Sequence, residues 1–90
     1  MLEKNVKIIN PLGLHARAAA QLVRLASTFE SDIKLIRPDN QIFADAKSIL
    51  SVLTLAANKG TELILQIVGE DENEALKSIE QLINQGFGEI

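Results

Sequence analysis

The stretch Glu62-Leu63-Ile64-Leu65-Gln66-Ile67 decides the fold. Leu63, Leu65 and Ile67 fall on one side of an extended chain, and Glu62, Ile64 and Gln66 on the other. One face for a core and one for solvent is the mark of an antiparallel sheet. Gly69 breaks the strand, and Asp71 followed by Glu74 resembles a capping box. Ala75, Leu76, Ile79, Leu82 and Ile83 then lay one apolar stripe at helical spacing, ended by Gly86 and Gly88. Toward the N-terminus, Ser48 to Ala57 reads as an apolar helix ended by Asn58-Lys59-Gly60, with Gly60 as a left-handed cap. Gln41 to Ala44 forms a strand, and Ile33 and Leu35, alternating with Asp32 and Lys34, form another. Pro38-Asp39-Asn40 between them is turn chemistry. Residues 16–29 read as a helix with Ala19, Leu22, Val23 and Ala26 on one face, and Val6 to Ile9 as a first strand. The order is βαββαβα. We expect one four-stranded antiparallel sheet with helices on its single apolar face, an open-faced sandwich of the α+β class.

Ninety residues set the scale of one domain, residues 1–90, burying roughly 60–65% of the surface its unfolded chain exposes. The three aromatics are all Phe, so the core is aliphatic and stacking on nucleobases is not expected. Without cysteine there is no disulfide and no thiolate site. A single histidine also argues against a metal centre. No membrane-length apolar run and no signal-peptide pattern occurs, so a cytoplasmic protein without membrane insertion is expected. The net charge of −3 is uneven. Residues 1–29 carry Lys4, Lys7, Arg17 and Arg24 against Glu3, while residues 61–90 carry seven acids against Lys77. The basic third suits an anionic ligand or an acidic partner, but its cations are too sparse for a nucleic-acid footprint.

That basic third holds the only histidine, in Asn10-Pro11-Leu12-Gly13-Leu14-His15-Ala16-Arg17-Ala18-Ala19-Ala20. An irregular stretch with Pro11 and Gly13 stops at His15, and an Ala-rich helix starts after it. A helix N-terminus offers unpaired N–H groups and the positive end of the dipole, a setting for anions. Imidazole keeps a useful neutral fraction at physiological pH. A neutral ring nitrogen can attack a phosphoryl group, the amides of Ala16 and Arg17 can meet its oxygens, and the Arg17 guanidinium can add a charge-assisted contact. A cation in the first helical turn opposes the dipole, which points to another purpose for Arg17. A bare helix-cap histidine is the competing reading; Gly13, the helix start and Arg17 together favour chemistry. Arg24 reads as a solvated residue that can extend a basic docking surface.

The second feature is Ser48-Ile49-Leu50-Ser51-Val52-Leu53-Thr54-Leu55. It holds more apolar residues than one helix face needs to bury. The surplus is either a partner surface or part of a deeply buried helix. Ser48 fits an N-cap, and its hydroxyl can also be phosphorylated. The acids at Glu70, Asp71, Glu72 and Glu74 read as ordinary first-turn charges.

Gly13-Leu14-His15-Ala16-Arg17-Ala18-Ala19, followed by Lys47-Ser48-Ile49-Leu50 and Lys59-Gly60, resembles the HPr family, histidine-containing phosphocarriers of the bacterial phosphoenolpyruvate-dependent phosphotransferase system. The likeness spans essentially the whole chain. It implies an open-faced sandwich of four antiparallel strands and three helices. It implies that enzyme I phosphorylates Nδ1 of His15, that Arg17 assists, and that the group passes to a histidine of an EIIA protein or domain. It implies docking through the first helix, including Ala20 and Arg24, and through Ile49, Leu50 and Leu53. Ser48 matches the serine that HPr kinase/phosphorylase targets in some bacteria. A stoichiometric carrier needs no cofactor or metal, and a monomer is expected. Two departures stand out. Ala18 replaces a proline common in the family, and the hairpin at Arg37-Pro38-Asp39-Asn40 is slightly longer than usual. The alternatives are a regulatory carrier of the nitrogen-related NPr branch and a docking module of the same fold that is never phosphorylated.

Overall fold

A computed structural model describes residues 1–89. Four strands and three helices alternate in the expected order: β1 (Leu2–Lys7), α1 (Ala16–Ala26), β2 (Asp32–Arg37), β3 (Ile42–Asp45), α2 (Ile49–Leu53), β4 (Glu62–Val68) and α3 (Glu72–Asn84). A short 3₁₀ turn follows at Gly86–Gly88. The strands form one sheet in the order β1-β4-β2-β3, and every neighbouring pair is antiparallel.

The alternation of β4 works as its pattern requires. Leu63, Leu65 and Ile67 are buried, as are Ile33 and Leu35 on β2, Val6 on β1 and Ala44 on β3. Register aligns them into rows across the sheet: Leu65 sits opposite Leu35, and Ile67 opposite Ile33. The helices cover this face. Ala18, Ala19, Leu22 and Ala26 bury one side of α1, and Ala75, Ile79 and Ile83 one side of α3. The small residues on α1 let the helix lie close to its neighbours. The reverse face carries Asp32, Lys34, Glu62 and Gln66 in water, with the Lys34 ammonium 5.3 Å from the Phe43 ring centre.

Several boundaries differ from the sequence expectation. β1 runs Leu2–Lys7, not Val6 to Ile9, because Leu2 to Lys7 pair with β4 residue by residue. Ile8 still exchanges bonds just beyond it, donating to Thr61 O (3.0 Å) and accepting from Gly60 N (2.7 Å). α1 stops at Ala26 and not at residue 29; Thr28 N and Phe29 N turn back onto Leu25 O and Ala26 O. β3 begins at Ile42, since Gln41 has φ +60 and belongs to the turn. α2 is the largest shortfall. It ends at Leu53, and the left-handed residue after it is Ala56, while Gly60 serves the turn into β4.

The capping box at Asp71 does not form. Asp71 precedes α3 with φ −99 and ψ 25, which is not the extended cap geometry, and its side chain makes no cap bond. Its carboxylate instead accepts from Glu30 N (2.9 Å), Ser31 N (3.0 Å) and the Ser31 hydroxyl. This clamps the α1–β2 turn to the start of α3. The Ser31 hydroxyl and the Glu30 amide hold the Asp71 carboxyl below the usual carboxylate range. Glu72 takes up the local role, accepting from Gly69 N at 3.1 Å.

Candidate functional site

The segment between β1 and α1 is irregular but closely tied down. Asn10 is buried, and its Nδ2 donates to Gly13 O at 2.8 Å. Gly13 N donates back to Asn10 O (3.1 Å), and Leu14 N donates to Ala57 O (2.8 Å). Gly13 has φ +67, and a Cβ there would lie 2.5 Å from Ala57 O and 2.8 Å from Asn58 Cα. Both the dihedral and the close approach exclude other residues. Its loop therefore packs its backbone directly on the segment after α2, and this fixes where His15 emerges.

His15 is the N-cap of α1, with an extended backbone (φ −77, ψ 179), and its carbonyl accepts from Ala19 N at 2.8 Å. Its side chain also caps: Nδ1 accepts from Arg17 N at 3.3 Å. The other ring nitrogen, Nε2, lies 2.6 Å from Glu89 Oε2. The imidazole stays 28% exposed, so it is reachable from solvent. Ala16 and Arg17 are exposed in the first turn, and α1 has no acidic residue there. Arg17 makes no ion pair among the described residues. With Pro11, Leu12, Gly88 and Glu89 it lines an open cleft of about 370 Å³ beside the histidine. Nothing in the sequence pattern marks Asn10 or Glu89 as part of this cluster. Glu89 comes from the far end of the chain, and no local spacing encodes its return to residue 15. Asn10 Nδ2 also donates to Glu89 Oε1 at 2.9 Å. That bond chiefly, then the imidazole and the charge of Arg17, holds the Glu89 carboxyl below its ordinary range, while burial pushes the other way.

The second group of residues lies on α2. Ser48 is its N-cap, with Oγ accepting from Ser51 N at 3.3 Å. Ile49 is 42% and Leu50 79% exposed, while Val52 and Leu55 are buried. Leu53 packs partly against the core and is less available than its two neighbours. On α1, Arg24 is exposed and Ala20 half-buried. α1 and α2 are in contact. Leu12, 70% exposed, adds an apolar residue beside the cleft.

A small α+β protein that presents one solvent-accessible histidine at a helix N-terminus, with an exposed arginine in the first turn, has the layout of a protein that handles phosphoryl groups. A family profile described as "PTS HPr component phosphorylation site" matches residues 2–85. The phosphocarrier protein HPr of Cupriavidus necator is 47% identical over 89 residues, covering 99% of this chain and 98% of its own. A crystal structure of HPr-C-His from Thermoanaerobacter tengcongensis superposes with a TM-score of 0.94 at 39% identity, covering 100% and 99% of the two chains. A crystal structure of an HPr dimer from the same organism superposes with a TM-score of 0.78, also at 39% identity, over 99% and 100%. The chain belongs to the HPr family of phosphocarrier proteins of the phosphotransferase system. The expected open-faced α+β sandwich is the architecture these relatives share. No helix among the described residues is long and apolar enough to cross a membrane.

Proposed function

We propose that this chain takes a phosphoryl group from phosphorylated enzyme I onto Nδ1 of His15 and gives it to a histidine of an EIIA protein or domain. The observation that carries this is the position of Nδ1. It accepts a hydrogen bond from Arg17 N, so it bears a lone pair and faces the start of α1. A phosphoryl group arriving there replaces the ring nitrogen as acceptor for the Arg17 amide. The amide of Ala16 and the helix dipole add to the attraction, each contact worth about 0.3–1 kcal/mol at such an exposed site. The Arg17 guanidinium, which makes no ion pair among the described residues, supplies the strongest contact to the phosphoryl oxygens. The group is held but not enclosed, which suits a carrier that must release it. In this reading the chain is a stoichiometric carrier acting as one domain in the cytoplasm, without turnover on a small molecule and without a metal.

Partners dock on the exposed side of α1, with Ala20 and Arg24, and on the apolar residues of α2, chiefly Ile49 and Leu50. The exposure of those two aliphatic side chains on a helix this short supports the assignment. Leu53 contributes only its edge. Ser48, at the N-cap of α2 beside this surface, is the position for regulation by HPr kinase/phosphorylase: a phosphate there puts charge at the rim of an apolar patch. The working form is the monomer.

Intact mass after incubation with phosphoenolpyruvate and a catalytic amount of enzyme I tests the carrier role. The wild type gains one acid-labile phosphoryl group and His15→Ala gains none. No gain by folded wild type with several enzyme I homologues would refute it. Which enzyme I charges the protein, and whether a sugar permease accepts from it, separates sugar uptake from the nitrogen-related branch.

A further inference from the structure

We infer that Glu89 is a positioning residue for phosphoryl transfer: its carboxylate keeps the neutral His15 ring protonated on Nε2, and it balances the charge the ring gains when Nδ1 is phosphorylated. The inference rests on His15 being the phosphoryl acceptor. It starts from the two ends of one ring. An ionised carboxylate only accepts hydrogen bonds. The 2.6 Å contact between Nε2 and Glu89 Oε2 therefore puts the proton on Nε2. A neutral imidazole carries one N–H, so Nδ1 is left with its lone pair. The contact on the other side agrees independently, because Arg17 N can donate to Nδ1 only if Nδ1 is unprotonated.

The carboxylate is itself held in place. Asn10 Nδ2 donates to Glu89 Oε1 and to Gly13 O, tying it to the loop that presents His15. The chain reaches this position through a tight turn with positive φ at Gly86, Phe87 and Gly88, anchored by the buried Phe87 ring. The Glu89 side chain is 14% exposed, half as much as the imidazole it contacts. An ordinary surface pair would leave both groups wetter and less ordered.

The chemistry follows from the proton count. The Nδ1 lone pair attacks the phosphorus of a phosphohistidine donor. The Nδ1–P bond forms, and the donor's P–N bond breaks with its electron pair returning to the donor nitrogen. The His15 ring keeps its Nε2 proton and becomes a phosphoimidazolium cation. Its N–H now points at an anionic oxygen, and the bond becomes charge-assisted. On delivery, the Nδ1–P bond breaks, its pair returns to Nδ1, and the ring is neutral again with the same tautomer. Glu89 never takes the proton. Among the described residues, Glu89 from the C-terminal turn is the charged group in contact with the ring, on Nε2; on the opposite nitrogen Arg17 donates its backbone amide to Nδ1, and its charge also acts on Glu89. Arg17 attracts the phosphoryl oxygens, and Glu89 stabilises the cation created behind them.

The test compares the wild type with Glu89→Gln and Glu89→Ala by long-range ¹H–¹⁵N NMR of the neutral His15 ring, with no phosphoryl donor present. The wild type shows the Nε2–H tautomer as the dominant neutral form. Both variants move toward a mixture of tautomers, because the Nε2 proton loses its anionic partner. Phosphoryl transfer by the variants slows about tenfold, the scale of losing a partner that orients a histidine. An unchanged tautomer in both variants would overturn the inference even if transfer slowed, since Glu89 would then act only through packing. Failure of the carrier role registers separately, as absence of mass gain in the wild type.

Discussion

Gly13→Ala tests the claim that a direct backbone contact sets the position of His15, and Gly60→Ala is its built-in control. Both glycines have positive φ, +67 and +92. An L-residue in this region costs about 1–2 kcal/mol. The two sites differ in surroundings. A Cβ at Gly60 meets nothing within 4 Å, whereas at Gly13 it meets Ala57 O at 2.5 Å and Asn58 Cα at 2.8 Å, both backbone atoms. Forcing these apart adds an overpacking cost of about 1–3 kcal/mol. It also stretches the Leu14 N to Ala57 O hydrogen bond, worth about 1 kcal/mol net. Gly60→Ala should therefore cost about 1–2 kcal/mol and Gly13→Ala about 3–6 kcal/mol. At ~4–8 °C per kcal/mol for a domain of this size, Gly13→Ala lowers the midpoint by at least ~12 °C. Urea unfolding of both variants measures the difference, and intact mass with enzyme I shows whether His15 still accepts phosphate. Equal destabilisation by the two substitutions would refute the steric argument.

Acidification should destabilise the fold. Asp39, Asp71, Glu72 and Glu89 all have carboxyls held below their ordinary range, so their contribution is complete above the unfolded-state pKa and is lost as pH falls through the folded values. Denaturant midpoints measured from pH 7 downward check this, and Asp71→Asn should flatten part of the fall. Ser48→Ala should cost about 1 kcal/mol by removing the cap of α2, whereas Ser48→Asp, which can still cap, should be close to neutral in thermal melts. Leu50→Glu, at a position 79% exposed, should stay within ~0.5 kcal/mol of the wild type while weakening enzyme I binding in titration calorimetry; unchanged binding would remove Leu50 from the docking surface.

Those positions differ in how far the sequence revealed them. The alternation in β4 and the stripes of α1 and α3 were readable because one-sided burial repeats at fixed spacing. His15 at the N-cap was readable because Pro11 and Gly13 interrupt one pattern just before an Ala-rich one begins. The span of α2 was not. Its apolar residues continue past Leu53, but Leu55 and Ala57 are buried from a non-helical segment, where Ala57 O receives Leu14 N. Hydropathy records burial and not the backbone conformation that achieves it. Asp71 misled for a related reason: it has the chemistry of a cap, but its carboxylate bonds residues 30 and 31, distant in sequence. Glu89 is the extreme case, because its meeting with His15 exists only once the whole sheet has brought the two together.

The strand order carries a consequence for how the chain assembles. β4 lies between β1 and β2, so neither early strand touches the other. Only β2 and β3 form a local hairpin. β1 must wait for a partner from across the chain, with Val6 meeting Leu63. Such distant closures are what slow a folding reaction. The last strand in the chain is therefore the keystone of the sheet. Amide protons on β4, bonded on both sides and at the centre, should exchange only through global unfolding, while those of the β2–β3 hairpin turn should open locally and much more often.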